Sequence, residues 1–305
     1  MKKVLVTGAS GMLGMTLVET LKNDFEVYAT GGNYPGILDK QRYMSFDLSL
    51  DNYDGLIKWS NPDIIIHSGA ITNGNLCQNN PELAFNVNGL SLKKMMDSVD
   101  DNVKIIYIST DAVFPSSLHL AKEGDCTKPE NYYGKSKELG EFFLLNSDRK
   151  FVIIRTTIVG YNLNPNKKGF VEWIVNSLEN NEEIGLFEDV LFTPISIYSL
   201  SKEINYLIKN NHINSEVLHI SGAEPCSKYQ FGSSLAKELN LKGKINKASI
   251  LSFKERAKRS TDQSLSTNHY QEKFKRDLPT LNETIKILKE KHYEINSIRK
   301  KNSKR

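Results

Sequence analysis

The first fourteen residues constrain the fold of this chain more than any other stretch. Val4-Leu5-Val6 is a short apolar run of the kind that lies buried on both faces in a parallel sheet. It leads straight into Thr7-Gly8-Ala9-Ser10-Gly11-Met12-Leu13-Gly14, where Leu13 opens a helical pattern that continues through Leu17 and Leu21 on one face. Glycines between a strand and a helix allow a tight turn. They also let the backbone approach an anion on the helix N-terminus, where N–H groups and the helix dipole favour negative charge. With a strand before it and a helix after it, this turn is spaced to seat the diphosphate of a dinucleotide.

The same alternation continues. Residues 26–30, 44–47, 63–67, 103–108 and 151–155 read as strands, and Asn80-Pro81 opens a helix expected to run to about Val99, with Pro in its first turn. Such a rhythm implies an α/β fold with a doubly wound parallel sheet. The second strand ends in Thr30-Gly31-Gly32-Asn33, with no Asp or Glu to hold a ribose 2′-hydroxyl and no Arg to bind a 2′-phosphate unless Lys40 or Arg42 folds back. NADPH is therefore admitted and NADH is not excluded. After residue 155 the rhythm changes. A long loop over residues 161–166 is followed by helices near 168–180, 197–209, 227–240 and 280–291, separated by short strands such as Val217-Leu218-His219-Ile220. This half is expected to cover the edge of the first and shape a pocket, with one or two of its segments returning to the sheet.

In open α/β sheets ligands collect at the carboxyl ends of the strands. The strand at 103–108 delivers Ser109-Thr110-Asp111 to that edge, and the next helix begins Asn131-Tyr132-Tyr133-Gly134-Lys135-Ser136-Lys137. Tyr133 and Lys137, four apart, fall on one helix face. Proton transfer by a phenol at neutral pH needs its pKa lowered by roughly 3 units, or about 4 kcal/mol. One ammonium at ~4 Å in an effective dielectric of ~20 supplies a term of that size. Lys137 is thus expected to lower the pKa of Tyr133.

Composition excludes several alternatives. The formal charge of the 305 residues is +4, but residues 289–305 carry +5 of it and leave the remainder near −1, so no basic nucleic-acid face is present. The basic end, from Ile298 onward, reads as a frayed, solvated terminus. Cys77, Cys126 and Cys226 show no disulfide or zinc spacing, and the six His residues show no metal-ligand spacing, so no metal is expected. The apolar run after Met1-Lys2-Lys3 stops too soon for a signal peptide, and no segment approaches the ~18 residues of a membrane span. A cytoplasmic protein is expected, with no membrane and no nucleic-acid partner.

The motifs TGASGMLG, YISTDAVF and NYYGKSKELGE, with IRTTIVG and LHISGAEPCSKYQFGSSLAKEL in support, resemble the extended short-chain dehydrogenase/reductase family, and within it the dTDP-4-dehydrorhamnose reductase family. The likeness covers nearly the whole chain. It implies a Rossmann-like NAD(P)-binding domain over residues 1–155, with returning segments near 190–222. Residues 156–305 would form mainly a smaller, mixed α/β substrate-binding domain ending in a basic tail at 296–305. By the same resemblance Tyr133 donates a proton to a ketone oxygen, Lys137 lowers its pKa and binds the nicotinamide ribose, and Thr110 hydrogen-bonds the same oxygen. Gly8, Ser10, Gly11, Met12, Leu13 and Gly14, with Asp47, Leu48, Gly69 and Ala70, would hold the dinucleotide together with Tyr133 and Lys137. NADP(H) is the preferred cofactor and NAD(H) is also admitted. Thr72, Asp111, Val113 and Phe114 would meet a nucleotide-linked 4-keto-6-deoxy sugar, and a homodimer is compatible with the chain. Two positions depart from the rhamnose-forming pattern: Ala112 stands where an aromatic is usual and Ile158 where a Trp is usual, which leaves the sugar open. A 4,6-dehydratase would need a Glu after Thr110-Asp111, and Ala112 is there instead. The remaining alternatives are an epimerase and a non-catalytic NADP-binding regulatory subunit.

Overall fold

Val4, Leu5 and Val6 have no polar face to turn to water, and β1 (Lys3–Thr7) accordingly sits inside the sheet, with these residues fully buried. The computed structural model describes residues 1–34, 36, 38–49, 52–163, 169–252 and 260–302, with side chains through 297. β1 pairs in parallel with β2 (Glu26–Gly31) on one side and β4 (Ile64–His67) on the other. β3 (Tyr43–Ser45) lies beyond β2, while β5 (Lys104–Ile108) and β6 (Phe151–Arg155) lie beyond β4. The strand Glu216–His219 closes the other edge, giving seven parallel strands among the described residues. The order of strands reverses between β1 and β4, and this switch point is where the glycine turn emerges.

Period-two alternation assigns the sheet's two faces. Val4 and Val6 pack with Ile106, Ile108, Val152 and Ile154 beneath α1 (Met12–Leu21) and the helix Ile197–Lys209. Leu5 and Ile65 turn the other way, onto Tyr53, Leu56 and Met95. Ile105, Tyr107 and Ile153 pack beside them against Leu92 and Leu144. A second core is built from the helices Phe170–Glu179 and Lys228–Glu238 and the last helix, around Ile174, Phe192, Phe231 and Leu288. Its parallel strand pair joins Glu183–Phe187 to Lys244–Ala248.

Three details differ from expectation. The helix opened by Pro81 is interrupted by a π-helical stretch, Asn86–Leu90, before it resumes as Ser91–Asp97. β3 starts at Tyr43, one residue earlier than predicted. The last helix spans Leu281–Asn302, so the backbone expected to fray from Ile298 is helical. Its apolar residues Leu281, Ile285, Leu288 and Ile295 pack on the second core and carry the basic segment with them. Residues 164–166 of the predicted loop and residues 303–305 of the tail lie outside the described residues. Among the described residues no helix is long and apolar enough to cross a membrane.

His67 ends β4 fully buried, bonded through Nδ1 to Thr7 Oγ1 (3.1 Å) and through Nε2 to Ser91 Oγ (3.0 Å). Ser91 Oγ gives its own proton to Val87 O, so it accepts from Nε2–H and the neutral ring accepts at Nδ1. Burial pushes His67 down to about 3 and does the same to His219, also to about 3. Below pH 6.5 the unfolded chain binds protons that these folded rings refuse, so stability is lost as pH falls from 6.5 towards 3. Unfolding free energy is expected to drop by about 1.4 kcal/mol per pH unit for each of the two rings. Urea titrations at pH 7, 6 and 5 measure it, and a flat dependence would show that the rings take up protons without unfolding.

Candidate active site

The glycine turn is shaped by contact as well as by conformation. Gly8 has φ +69°, a left-handed value that disfavours any side chain, and a Cβ there would meet Gly69 Cα at 2.5 Å. A Cβ on Gly14 would lie 2.3 Å from Gly8 O, whereas one on Gly11 would meet only Gly8 O, at 3.1 Å. Gly11 N–H donates to Gly8 O (2.8 Å), and Gly11 then serves as N-cap of α1. Leu13 is buried in the core and Met12 packs against it, so these two can meet a diphosphate only through their backbone.

Beside the turn runs a groove of about 320 Å³, lined by Gly8, Ser10, Gly32, Asp47, Leu48, Gly69 and Ala70 among others. Of the positions implied for the dinucleotide, Gly8, Ser10, Asp47, Leu48, Gly69 and Ala70 line this one space, while Gly11, Met12, Leu13 and Gly14 do not; its volume is at the small end of ligand-pocket sizes. Ser10 Oγ accepts from Gly32 N (3.2 Å), and Tyr43 Oη reaches Gly32 O (3.2 Å) and Asn33 O (3.1 Å). Asp47 Oδ1 accepts from Ser49 N and Oγ, which holds its carboxyl below the usual range. Arg42 acts on Tyr28, which donates to Glu26 Oε1 (3.0 Å). The residues present fit NADP(H): the turn leaves room for the diphosphate, and no carboxylate follows β2 where a 2′-phosphate would lie.

The second half of the site hangs on the helix Tyr132–Leu145, capped by Asn131, whose side chain accepts from Gly134 N (2.8 Å). Its inward face carries Tyr133, Lys137 and Glu141, one turn apart. The Tyr133 phenol is hydrogen-bonded to the Thr110 side chain, which extends from the end of β5. Thr110 Oγ1 also donates to Asp111 Oδ1 (2.9 Å), and Thr157 Oγ1 donates to Asp111 Oδ2. Burial raises the Asp111 carboxyl, and Lys228 opposes that shift from the second core, where its ammonium lies 3.2 Å from the Phe192 ring centroid. Thr72 is exposed on the loop after β4, next to Ile71. Val113 and Phe114 do not join this group. They are 0% and 2% exposed in a small core with Ala121 and Leu265, and so support the Thr110 loop from behind. Ala112 is likewise buried, its carbonyl 2.2 Å from where a Cβ on Gly134 would stand.

The expected lowering of the Tyr133 pKa by Lys137 is not what the structure gives. Burial raises the phenol above its ordinary value, Thr110 opposes the shift, and Asp111 and Cys77 add to it, with no contribution from Lys137. Lys137 is itself pushed down to about 7 by burial, and its ammonium lies 3.9 Å from the Tyr107 ring centroid. A shared dry pocket penalises the charged form of both groups.

Three further groups carry no simple signal in the sequence. Asn88, in the π-helical stretch, accepts from Ile71 N (2.7 Å) and donates to Ile71 O (3.0 Å) and Ser136 Oγ (2.9 Å), tying the loop after β4 to the Tyr132 helix. π-helical turns often occur at functional positions. Tyr107 Oη reaches Asn88 O (2.8 Å) and Lys137 O (3.2 Å). Glu141 and Arg155 form a buried pair at 2.7 Å.

A reversal of strand order flanked by a glycine turn, with a tyrosine and a lysine a turn apart beside a strand-end hydroxyl, defines an NAD(P)-dependent extended short-chain dehydrogenase/reductase. Within that class the chain belongs to the family described as RmlD substrate binding domain, which matches residues 1–293. It is 30% identical over 248 residues to the spore coat polysaccharide biosynthesis protein SpsK of Bacillus subtilis (strain 168), covering 80% of this chain and 82% of that one. It is 28% identical over 247 residues to dTDP-4-dehydrorhamnose reductase of Aggregatibacter actinomycetemcomitans, covering 78% and 79% of the two. A solved structure of dTDP-4-dehydrorhamnose reductase from Bacillus anthracis str. Ames in complex with NADP matches it with a TM-score of 0.83 at 26% identity, covering 94% of this chain and 99% of that one.

The clearances in the turn separate binding from folding. Gly11→Val should fold with nearly normal stability yet bind NADPH at least about tenfold more weakly, because only its face towards the diphosphate is filled. Gly14→Val should fail to reach a stable fold. Fluorescence titration with NADPH and thermal melts measure both, and unchanged affinity in Gly11→Val would place the diphosphate elsewhere.

Proposed function

We propose that this chain uses NADPH to reduce the C4 ketone of a nucleotide-linked 4-keto-6-deoxy sugar, as a dTDP-4-dehydrorhamnose reductase-like enzyme of nucleotide-sugar biosynthesis. The observation that carries the reading is the hydrogen bond between Thr110 and Tyr133, at the carboxyl edge of the sheet beside the dinucleotide groove. A bound nicotinamide supplies the hydride. The protein must orient the ketone, exclude water and deliver one proton to its oxygen.

Tyr133 suits that last task. Held above its ordinary pKa, it carries its proton throughout the neutral range, and releasing that proton at neutral pH requires the phenolate to be stabilised by its neighbours. Once the proton leaves, the phenolate needs compensation. Thr110 can turn its one hydrogen from Asp111 towards it, and Lys137, when protonated, supplies positive charge from the next turn of the helix. Thr72, exposed on the loop after β4, would be open to the sugar, and Asp111 would act on it through Thr110. The second core would then supply the wall that holds the nucleotide.

Consumption of NADPH by the purified chain, followed by absorbance with a panel of dTDP- and UDP-linked 4-keto-6-deoxy sugars, tests the assignment. Turnover is expected with at least one dTDP-linked ketone. Tyr133→Phe should lower kcat by about 10²-fold or more while NADPH affinity stays within a few-fold. Substantial residual turnover would move the proton donor elsewhere. Intact NADPH binding with no turnover across the panel would favour the regulatory-subunit alternative.

A further inference from the structure

Glu141 and Arg155 are both almost fully buried, at 1% and 3% exposure, and touch neither the groove nor the Thr110 loop's open side. Glu141 Oε1 accepts from Ser109 Oγ and from Arg155 Nε (3.1 Å), and Oε2 accepts from Arg155 Nε (3.2 Å) and Nη2 (2.7 Å). Arg155 Nη1 also donates to Glu123 O (3.2 Å), and its guanidinium lies 4.8 Å from the Phe114 ring centroid. A buried ion pair gains little over apolar side chains of equal volume, so stability alone gives no reason for this one.

Its position supplies a reason. Glu141 stands one turn beyond Lys137 on the same helix face, and it grips Ser109, the residue before Thr110. Among the described residues no carboxylate lies within ion-pair reach of Lys137 Nζ, and what the ammonium touches is the Tyr107 ring. The titratable groups facing it are Tyr107 from β5, His67 from β4, and Tyr133 and Glu141 from its own helix, with Arg155 of β6 behind Glu141. Cys77, from the helix Gly74–Asn79, faces Tyr133 instead. His67 is neutral, and both phenols hold their protons at neutral pH. Glu141 is therefore the source of negative charge.

We propose that the Glu141–Arg155 pair is a positioning element for proton transfer: Glu141 keeps Lys137 charged inside a dry pocket and aligns its helix with Thr110, while Arg155 limits that pull. The catalytic consequence rests on the reductase reading, but the electrostatic one does not. Burial alone drives Lys137 towards neutrality, and Glu141 is what opposes it. Arg155, behind Glu141 and of opposite charge, is expected to act on Lys137 with the opposite sign.

The test follows the full-length chain labelled with carbon-13 at the lysine ε-carbons, with Lys137 assigned from the signal missing in Lys137→Arg. In Glu141→Gln the Lys137 midpoint should fall by about half a pH unit or more, and in Arg155→Gln it should rise. The alkaline limb of kcat for ketone reduction should move in the same directions. Midpoints that stay fixed, or that move together, overturn the proposal. Should a single variant fail to fold, Glu141→Leu/Arg155→Met leaves no unpaired charge, and its Lys137 midpoint should still lie below that of the unaltered protein; an equal midpoint overturns the proposal. Because the titration needs no substrate, an unaltered chain that titrates as described but reduces no ketone would sink the reductase reading alone.

Discussion

The ammonium of Lys137 against the face of Tyr107 is the contact around which the catalytic half of this molecule is arranged. A buried lysine loses most of its hydration, and the quadrupole of an aromatic ring returns only about 2 kcal/mol of that. The ring must therefore be held in place, and it is. Tyr107 comes from the middle of the sheet, and its hydroxyl is anchored at Asn88 O and Lys137 O. It fits because residue 140 is glycine, where a Cβ would stand 2.3 Å from the Tyr107 oxygen. Gly89 makes the same allowance for the π-helical stretch, where a Cβ would lie 2.9 Å from Ser136 O. Missing side chains in two helices thus let a third element bring its ring beneath the cation.

The parts of this arrangement that could be read in the sequence are those imposed by the backbone or by a fixed period. The glycine turn was legible because a positive φ and a close approach leave no other residue type workable at Gly8 and Gly14. The spacing of Tyr133 and Lys137 follows from helix geometry alone. The direction of the Tyr133 shift was not legible, because it depends on how dry the pocket is, and that is decided by Thr110, Asp111, Cys77 and Tyr107 arriving from elsewhere in the chain. The Glu141–Arg155 pair was hidden for a related reason: a glutamate in a polar helix segment looks like a solvated one until β6 brings an arginine to it. The family resemblance implies a contact of Val113 and Phe114 with the sugar, but the short turn after Thr110 directs their side chains inward. The basic end was read from charge alone, whereas its helix continues because the apolar residues at 281, 285, 288 and 295 give it a surface to lie on.

The two halves of the site also differ in how they tolerate change. Around the dinucleotide groove the constraints are steric: Gly8 and Gly69 approach so closely that neither has room for a side chain, and Leu48 fills the space over Gly69. Around Tyr133 they are electrostatic and distributed, with Asp111 answering to Thr110, Thr157 and Lys228 together. Substitutions at Gly8 and Gly14 run into backbone and cannot be accommodated, whereas those around Tyr133 act by degrees.

The strand Glu216–His219 bears on how the polypeptide can be made. It pairs with β6, whose five residues are all buried, but sixty residues separate the two, and within that interval lie the helix Phe170–Glu179 and part of the second core. A ribosome that has just released residue 155 therefore leaves Phe151–Arg155 as an open, apolar sheet edge, ready to pair with any other chain that presents a strand. That edge stays open until residue 219 has emerged, and the first half cannot be finished before much of the second has been synthesised.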